Sequence, residues 1–361
     1  MIFDIPQSSL LINYQYCQNI AGFNDCNDSP TLEKPLYNLE LLLKNRKPTL
    51  KITSDLKKVL NLKNFKAKLH TLKTVEEAEN LYFKCRSYAK QPKIANALAK
   101  EHSIYLDNLY EDQSEIINKT PIFFANNKNL ILKIPVNLNS EKPNECRVCE
   151  SLELANITDE YNLVPVTAKN IKVQEDSNNE KSRFFTVWFL VMPKFDHTLA
   201  DKMKTYSDDV ILNQTKKLIK SLNYLHNKGF VHMDIKLENI FVKSHSEYDS
   251  GDKDEWFLGD FGSAVMHNTK IISCTQCFLP NIIYRNAVSH FKYDWWMLGI
   301  NTLILYYLNK VYWKEILYSD VDDEIVSVEK VKFFISAMEN ECLKSLLSDL
   351  IQFENEKFTC S

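Results

Sequence analysis

Short apolar runs separated by polar turns occupy the middle of the chain and predict a small β-sheet there. Residues 122–125 (IFFA) and 130–134 (LILKI) flank the polar stretch 126–129. Two apolar runs joined by a four-residue polar turn are typical of an antiparallel hairpin. Residues 184–192, FFTVWFLVM, predict a further and strongly apolar strand. These runs therefore predict a sheet built from strands between residues 122 and 192.

Helical spacing dominates after these strands. Pro143 precedes a helical run over 145–155, and apolar residues recur at helical spacing over 208–228, where Gly229 is typical of a helix end. Two short strands, 240–242 and 256–258, follow, and the chain beyond them is mostly helical. Strands first and helices later predict an α+β fold with two lobes, a small β-rich one and a large helical one.

The first 104 residues are predicted to form an N-terminal extension that is basic and partly helical. Residues 44–73 hold ten Lys or Arg against one acid, Asp55. Two interpretations are open: a solvated helical face, or a patch for nucleic acid or nuclear import. The first requires the leucines of this stretch to turn inward, namely Leu56, Leu60, Leu62 and Leu69. A capping box at 74–77 predicts a helix that ends near Lys90.

Composition is that of a globular protein. Of the 361 residues, 45% are hydrophobic and 25% charged, and a net charge of −3 gives no global basic field to attract nucleic acid or membrane. No apolar run approaches about 18 residues, so no membrane span is expected. The start lacks a basic region before an apolar core, so no signal peptide is expected. The nine scattered cysteines favour reduced thiols. They therefore predict an intracellular location, in the nucleus or the cytoplasm.

Two motifs carry the chemistry. Residues 232–239, HMDIKLEN, follow the helix end at Gly229, and Asp260-Phe261-Gly262 follows the second short strand. At these residues the chain resembles the eukaryotic protein kinase family, whose catalytic-loop and D-F-G motifs they match in the same order. The resemblance implies a two-lobed protein-kinase-like fold over 105–361, with a small lobe at 105–193 and a large lobe at 194–361. ATP and Mg²⁺ are the implied cofactors.

Phosphoryl transfer explains why these residue types are needed, since its catalysis is mostly positioning and charge neutralisation. Asp234 is expected to orient the incoming hydroxyl and accept its proton. Lys236, two residues on, is expected to reach the transferring phosphate. Asn239 and Asp260 offer the hard oxygen ligands that Mg²⁺ prefers.

The resemblance also implies a lysine on a small-lobe strand that holds the α- and β-phosphates and pairs with a helix glutamate. Lys133 ends the strand LILK as the family's lysine does. Glu150, 17 residues on, is the predicted partner. Glu153 is the next choice, and Glu145 lies on the same predicted helix.

Two further positions follow from the same resemblance. Met192 stands before the expected hinge at 193–195, where backbone groups would receive the adenine. Asp294 lies in a stretch that resembles the D-x-W-S-L-G helix start, and it is expected to cap the backbone amides of the catalytic loop.

The chain departs from the family pattern at three places. The expected glycine-rich loop falls at 111–116, which holds three acids and no glycine, and this lowers the expected nucleotide affinity. Met233 replaces the usual arginine, so activation by phosphorylation of the activation segment is not expected. Ile282 replaces the glutamate of A-P-E, and 353–357 holds no arginine to pair with it.

Some of these departures resemble one particular group within the kinase family. Met233, the acidic insert 244–255 and the FLPN end of the activation segment resemble the Wee/Myt group of mitotic-inhibitor kinases. This implies a cyclin-dependent kinase as substrate and a role in the cell cycle, and another divergent kinase is the other interpretation. We expect a Ser/Thr or dual-specificity protein kinase acting on a protein substrate. The alternatives are a pseudokinase scaffold that binds a partner without catalysis, and a nucleic-acid-binding adaptor that uses residues 44–73.

Overall fold

A computed structural model gives the fold, and its described residues form two compact units, Met1–Cys85 and Arg86–Ser361. Single positions between 36 and 43 are also described. The described ranges are 54–61, 63–72, 75–107, 122–135, 142–174, 184–201, 205–244, 253–274, 288–308 and 327–351. None of the helices in these ranges is long and apolar enough to cross a membrane.

The first unit contains two short helices, α1 (Ser54–Leu60) and α2 (Lys63–Thr71). Their described leucine and phenylalanine side chains are buried, while Lys57 and Lys58 are exposed, as the interpretation of a solvated helical face predicts. Leu62 lies outside the side chains that the structure describes. The buried set is Leu56, Leu60, Phe65 and Leu69.

The second unit contains a four-stranded antiparallel sheet of order β1-β2-β4-β3. Its strands are β1 (Ile122–Ala125), β2 (Leu130–Lys133), β3 (Thr167–Gln174) and β4 (Phe184–Pro193). The predicted hairpin is confirmed, because Ile122 pairs with Lys133 and Ala125 with Leu130. Three consecutive residues of its turn, 126–128, have positive φ, a conformation that asparagine tolerates better than most residues.

A long helix, α3 (Val75–His102), covers one face of this sheet with its C-terminal part. Ile94 and Leu98 lie in one buried apolar cluster with the sheet residues Leu132 and Phe189. His102 continues the contact, since its Nε2 lies 3.3 Å from the backbone oxygen of Asn170. The C-terminal part of the helix therefore belongs to the hydrophobic core of the sheet.

This helix extends past its predicted end near Lys90 and passes through Pro92 without ending. The structure accordingly groups residues 86–104 with the second unit, whereas the sequence places them in the N-terminal extension. The physical reason is the apolar face of the sheet, which buries Ile94, Leu98 and Ile104.

We expect Leu98→Ala to destabilise the protein by about 2–5 kcal/mol, because a fully buried leucine is replaced by a cavity. Urea unfolding followed by circular dichroism measures the change. Lys100→Ala, at an exposed position of the same helix, is the matched control and should stay within about 0.5 kcal/mol of the wild type. Equal stability of the two variants would contradict the packing of α3 on the sheet.

The short helix α4 (Asn144–Ser151) lies between β2 and β3 in the chain, and helices dominate the remainder of the second unit. Helix α5 (Asp208–Asn227) is capped by Ser207, whose side chain accepts a hydrogen bond from the backbone N–H of Val210. Most of helix α6 (Phe291–Tyr307) is buried, including Asp294. Helices α7 (Val328–Ser336) and α8 (Glu341–Leu350) follow, and α8 packs on α6. The two-lobed α+β architecture predicted from the sequence is thus present.

Short strands place the loops that carry chemistry. Strands β5 (His197–Thr198), β7 (Ile240–Lys243) and β8 (Glu255–Leu258) form one small sheet, and β6 (Phe230–Val231) pairs with β9 (Val265–Met266). Residues 232–239 therefore lie between β6 and β7, and residues 259–264 lie between β8 and β9. Because β7 pairs with β8 and β6 with β9, the two loops lie next to each other.

Candidate active site

A buried carboxylate of helix α6 fixes the backbone of the loop 232–239. Asp294 accepts hydrogen bonds from the backbone N–H groups of His232, at 2.7 Å, and Met233, at 2.9 Å. Its Oδ2 also lies 2.9 Å from Nε2 of His226. The predicted capping role of Asp294 is confirmed, and Met233 itself is fully buried with a φ of 66°.

Within this loop, three polar side chains converge. Asn239 donates through Nδ2 to the backbone oxygen of Asp234, at 2.8 Å, and to its carboxylate Oδ2, at 2.9 Å. Lys236 Nζ lies 3.0 Å from the same Oδ2. The Asp234 carboxylate is therefore held in one orientation by an amide and an ammonium group. Because Nδ2 makes these bonds, the amide oxygen Oδ1 is the atom of Asn239 suited to a metal ion.

The neighbouring loop presents Asp260, the acid of the D-F-G motif. Its backbone is left-handed, with a φ of 58°, and its Oδ1 accepts from the N–H of Gly262 at 3.2 Å. Gly259 donates its N–H to the backbone oxygen of Asn239 at 3.0 Å, and its own oxygen lies 3.1 Å from Nε2 of His232. These contacts bring the segments of Asn239 and Asp260 together.

Lys133 reaches this loop from strand β2. Its Nζ lies 2.7 Å from Oδ1 of Asp260 and 2.7 Å from Oε1 of Glu145. The side chains of Lys133 and Glu145 are 9% and 8% exposed, while that of Asp260 is 40% exposed. A lysine from the sheet, a glutamate from a helix and the D-F-G aspartate thus form one ion cluster, of which the Asp260 carboxylate is the most exposed member.

The prediction that Glu150 pairs with Lys133 is wrong, because the partner is Glu145. Helix α4 (Asn144–Ser151) begins just before Glu145, which places this residue in the first turn, facing the sheet. Five residues correspond to a rotation of about 140° around a helix, so Glu150 lies on another side. Glu150 is exposed and pairs with Lys142 instead. Glu153, the second choice, lies 3.4 Å from Lys228.

The cluster perturbs the protonation of its members. Burial by itself lowers the pKa of Lys133, but the charges of Asp260 and Glu145 outweigh it and raise the pKa above its ordinary value. Burial raises the pKa of Glu145 despite Lys133, with the Asp260 charge adding to the effect. For Asp260, burial is outweighed by Lys133 and the pKa is lowered. Lys133 therefore remains charged, and Asp260 remains ionised, at neutral pH.

The expected hinge follows β4. Met192 pairs with Ile131 across the sheet, and Lys194 donates its backbone N–H to the oxygen of Asn129 at 3.1 Å. The Phe195 ring then packs on the rings of Phe241 and Phe257. The chain thus leaves the four-stranded sheet and enters the helical lobe at these residues. Adenine binding to this backbone stays a prediction.

Several predicted features lie outside the described residues: the glycine-free segment 111–116, Ile282 at the end of the activation segment, and 353–357. Of the acidic insert 244–255, the structure describes 244 and 253–255. Asp254 is buried there, and its Oδ2 accepts a hydrogen bond from the hydroxyl of Tyr206 at 3.1 Å. This acid therefore packs inside the fold and is not part of a solvated acidic surface.

The side chains present suit a magnesium nucleotide. Oδ1 of Asp260 is taken by Lys133 and Gly262, which leaves Oδ2 of the partly exposed carboxylate for a metal ion. Together with the amide oxygen of Asn239 it offers the oxygen ligands that Mg²⁺ takes at phosphate sites. Lys133 supplies a buried positive charge that suits phosphate oxygens. The donor set thus matches the predicted cofactors.

The family model of the protein kinase domain matches residues 128–358, which is more than half of the chain. The chain therefore belongs to the protein kinase family, of which it is a divergent eukaryotic-type member. The matched range contains each site residue described above.

Individual relatives are distant. Myosin light chain kinase A of Dictyostelium discoideum is 29% identical over 28% of this chain and 34% of its own length. The mouse serine/threonine-protein kinase Nek3 is 31% identical over 27% of this chain and 19% of its own. The chain thus spans about a third or less of these two relatives. The solved structure of the Cydia pomonella granulovirus kinase PK-1 is 16% identical, with a TM-score of 0.47 over 72% of this chain and 90% of that one.

Proposed function

We propose that this protein is an active ATP- and magnesium-dependent kinase that phosphorylates Ser or Thr hydroxyls of a protein substrate. The observation that carries the proposal is the assembled cluster in which Lys133 Nζ lies 2.7 Å from both Glu145 and Asp260. A buried lysine held between two carboxylates supports a site that is assembled for nucleotide phosphates. Burying such charges is costly unless they are paired.

Each residue of the site has a separate role in the proposed phosphoryl transfer. Lys133 binds nucleotide phosphate oxygens, and Glu145 keeps its ammonium group in place. Asp234, oriented by Asn239 and Lys236, accepts the proton of the substrate hydroxyl. Lys236 neutralises charge on the transferring phosphate. Asn239 and Asp260 would hold Mg²⁺, which supplies further neutralisation of phosphate charge.

Two sequence features bear on regulation and nucleotide affinity. Met233 is buried where the family has an arginine, and Asp294 already fixes the backbone there. We therefore propose that catalysis does not require phosphorylation of the activation segment. The glycine-free segment 111–116 supports weak nucleotide binding, and it is also the feature that favours the scaffold alternative.

The substrate proposal rests on motifs alone. Met233 within HMDIK and the FLPN sequence support a Wee/Myt-like activity toward a cyclin-dependent kinase. Incubation with a catalytically inactive cyclin-dependent kinase and its cyclin, followed by mass spectrometry, tests this. Phosphate on a tyrosine or threonine near the ATP site of that substrate supports the proposal. Phosphate only on a general basic substrate protein points to another divergent Ser/Thr kinase.

Nucleotide binding gives the direct test of the site. We expect Mg-ATP to raise the melting temperature, because a ligand at 100 times its Kd stabilises a folded protein by about 2.7 kcal/mol. ATP without magnesium should give a smaller shift, and Lys133→Met should lose the shift. Thermal-shift titration up to millimolar nucleotide measures these differences. No shift with Mg-ATP contradicts the proposal, and a shift without phosphate transfer to protein supports the scaffold.

A further inference from the structure

The helix that carries Glu145 has an unusual start. Helix α4 contains eight residues and begins at Asn144, so one helical residue precedes Glu145. Pro143 occupies the N-cap position and offers no side-chain hydrogen bond to the helix. A glutamate so close to a helix end is held by little helical structure on its N-terminal side. A contact from outside the helix is therefore needed to keep Glu145 against Lys133.

The side chain of Asn144 provides a contact at this place. Its Nδ2 donates to the backbone oxygen of Ala264 at 2.9 Å, across 120 residues of sequence. Ala264 in turn donates its N–H to the oxygen of Phe261 at 3.1 Å, which makes residues 260–264 a tight turn. The bond therefore joins the start of α4 to the turn that presents Asp260.

The two elements approach closely along this contact. A Cβ placed on Gly262 would lie 3.2 Å from Oδ1 of Asp260 and 3.7 Å from Oε2 of Glu145. The carboxylates of Glu145 and Asp260 thus both lie beside Gly262, and both reach Lys133. Because these like charges repel, a polar contact that holds their backbones together favours the assembled cluster.

We propose that Asn144 is a positioning residue, which latches helix α4 to the turn 260–264 and so keeps Glu145 on Lys133. It acts through Glu145 and touches no reacting atom. The inference rests on the proposed kinase function for its catalytic consequence, but its structural consequence can be measured without activity.

Two substitutions at this position separate the latch from a general effect on the helix. Asn144→Ala removes the donor. Asn144→Asp keeps the size, removes the donor and places an acid at a helix N-terminus, where it stabilises an isolated helix. A latch predicts weaker attachment of α4 in both variants. A role in helix propensity predicts weaker attachment in neither variant, because alanine has a higher helix propensity than asparagine and an acid stabilises the first turn.

Hydrogen exchange measures how firmly helix α4 is attached to the turn 260–264. We expect the amides of α4 and of residues 261–264 to exchange about two- to tenfold faster in both variants, the range that a single lost hydrogen bond gives. Ser151→Ala, at the exposed end of the same helix, is the matched control and should exchange as the wild type does. Wild-type exchange in Asn144→Asp overturns the proposal.

A double-mutant cycle then tests whether Asn144 acts through Glu145. In the wild-type background, Asn144→Ala should lower kcat/KM for ATP about two- to tenfold and leave the KM for the protein substrate unchanged. In the Glu145→Gln background the same substitution should change kcat/KM by less than about twofold. An equal loss in both backgrounds contradicts the proposal. Failure of the wild type to transfer phosphate rejects the proposed function, while the exchange result still decides the latch.

Discussion

Asp234→Asn is expected to lower kcat for protein phosphorylation by about 10²–10⁴-fold, the usual contribution of a positioned proton acceptor. The carboxamide fits the same space and can still accept a hydrogen bond from Asn239, so the loop should keep its shape. It cannot accept the proton of a hydroxyl or balance the charge of Lys236. Affinity for Mg-ATP should therefore stay within about twofold of the wild type. Phosphate transfer under single-turnover conditions, with ATP affinity from thermal shift, measures both quantities.

The matched control is Asp209→Asn, which makes the same chemical change at an exposed position in the first turn of α5. It should retain wild-type kcat. If Asp234→Asn also keeps wild-type kcat, the proposed role of this carboxylate is wrong. If both variants lose activity, the assay reports a general effect of charge.

Glu145→Gln is expected to lower kcat/KM for ATP by about ten- to a hundredfold, whereas Glu150→Gln should have no measurable effect. Glu145 binds the ammonium group of Lys133 at 2.7 Å, and a hydrogen bond between charged groups contributes about 1.5–3 kcal/mol. Glu150 pairs with Lys142 on an exposed side of the same helix, where ion pairs contribute little. Steady-state kinetics over a range of ATP concentrations measures the difference. The reverse ranking would restore Glu150 as the functional residue.

The stability of Glu145→Gln adds a check that does not depend on activity. The pKa of Glu145 is raised above its ordinary value of 4.5 by burial, so the native state holds its proton more tightly than the unfolded state does. Its contribution to stability is fully present below pH 4.5 and is lost as the pH rises through the higher native value. Glu145→Gln should remove this decline. Urea unfolding of both proteins between pH 4.5 and 7 should show a flatter profile for the variant.

Local patterns were enough to predict much of the second unit. The hairpin of β1 and β2 follows from two apolar runs around a polar turn, and α5 follows from helical spacing that ends before Gly229. The roles proposed for Asp234, Asn239 and Asp260 follow from the resemblance of the motifs 232–239 and 260–262 to those of the protein kinase family. In these cases the information lies within about ten residues of sequence.

The partner of Lys133 could not be obtained in this way. The resemblance to the family predicts Glu150, 17 residues after Lys133. The interval to the actual partner is 12 residues, because α4 begins immediately before Glu145. The signal available in the sequence was Pro143, a residue that favours the start of a helix. It places Glu145 in the first turn, but only the position of the helix against β2 shows which acid reaches Lys133.

The length of α3 also cannot be predicted from the neighbouring sequence alone. Pro92 lacks the backbone N–H that continues a helix and favours an end nearby. The helix nevertheless continues to His102, since Ile94 and Leu98 bury their side chains against the sheet. Tertiary packing outweighs the local preference, and the sequence around Pro92 does not contain the other half of that contact.

The position of α3 also bears on how the protein can be divided. A fragment cut at residue 128, where the family match begins, would lack both α3 and β1. Strand β2 would then become an unprotected edge, and the apolar side chains of Leu132, Val187 and Phe189 would face water. Open edges and apolar patches of this kind promote aggregation. A soluble fragment of this kinase is therefore expected to need the part of α3 that packs on the sheet, which includes Ile94 and Leu98.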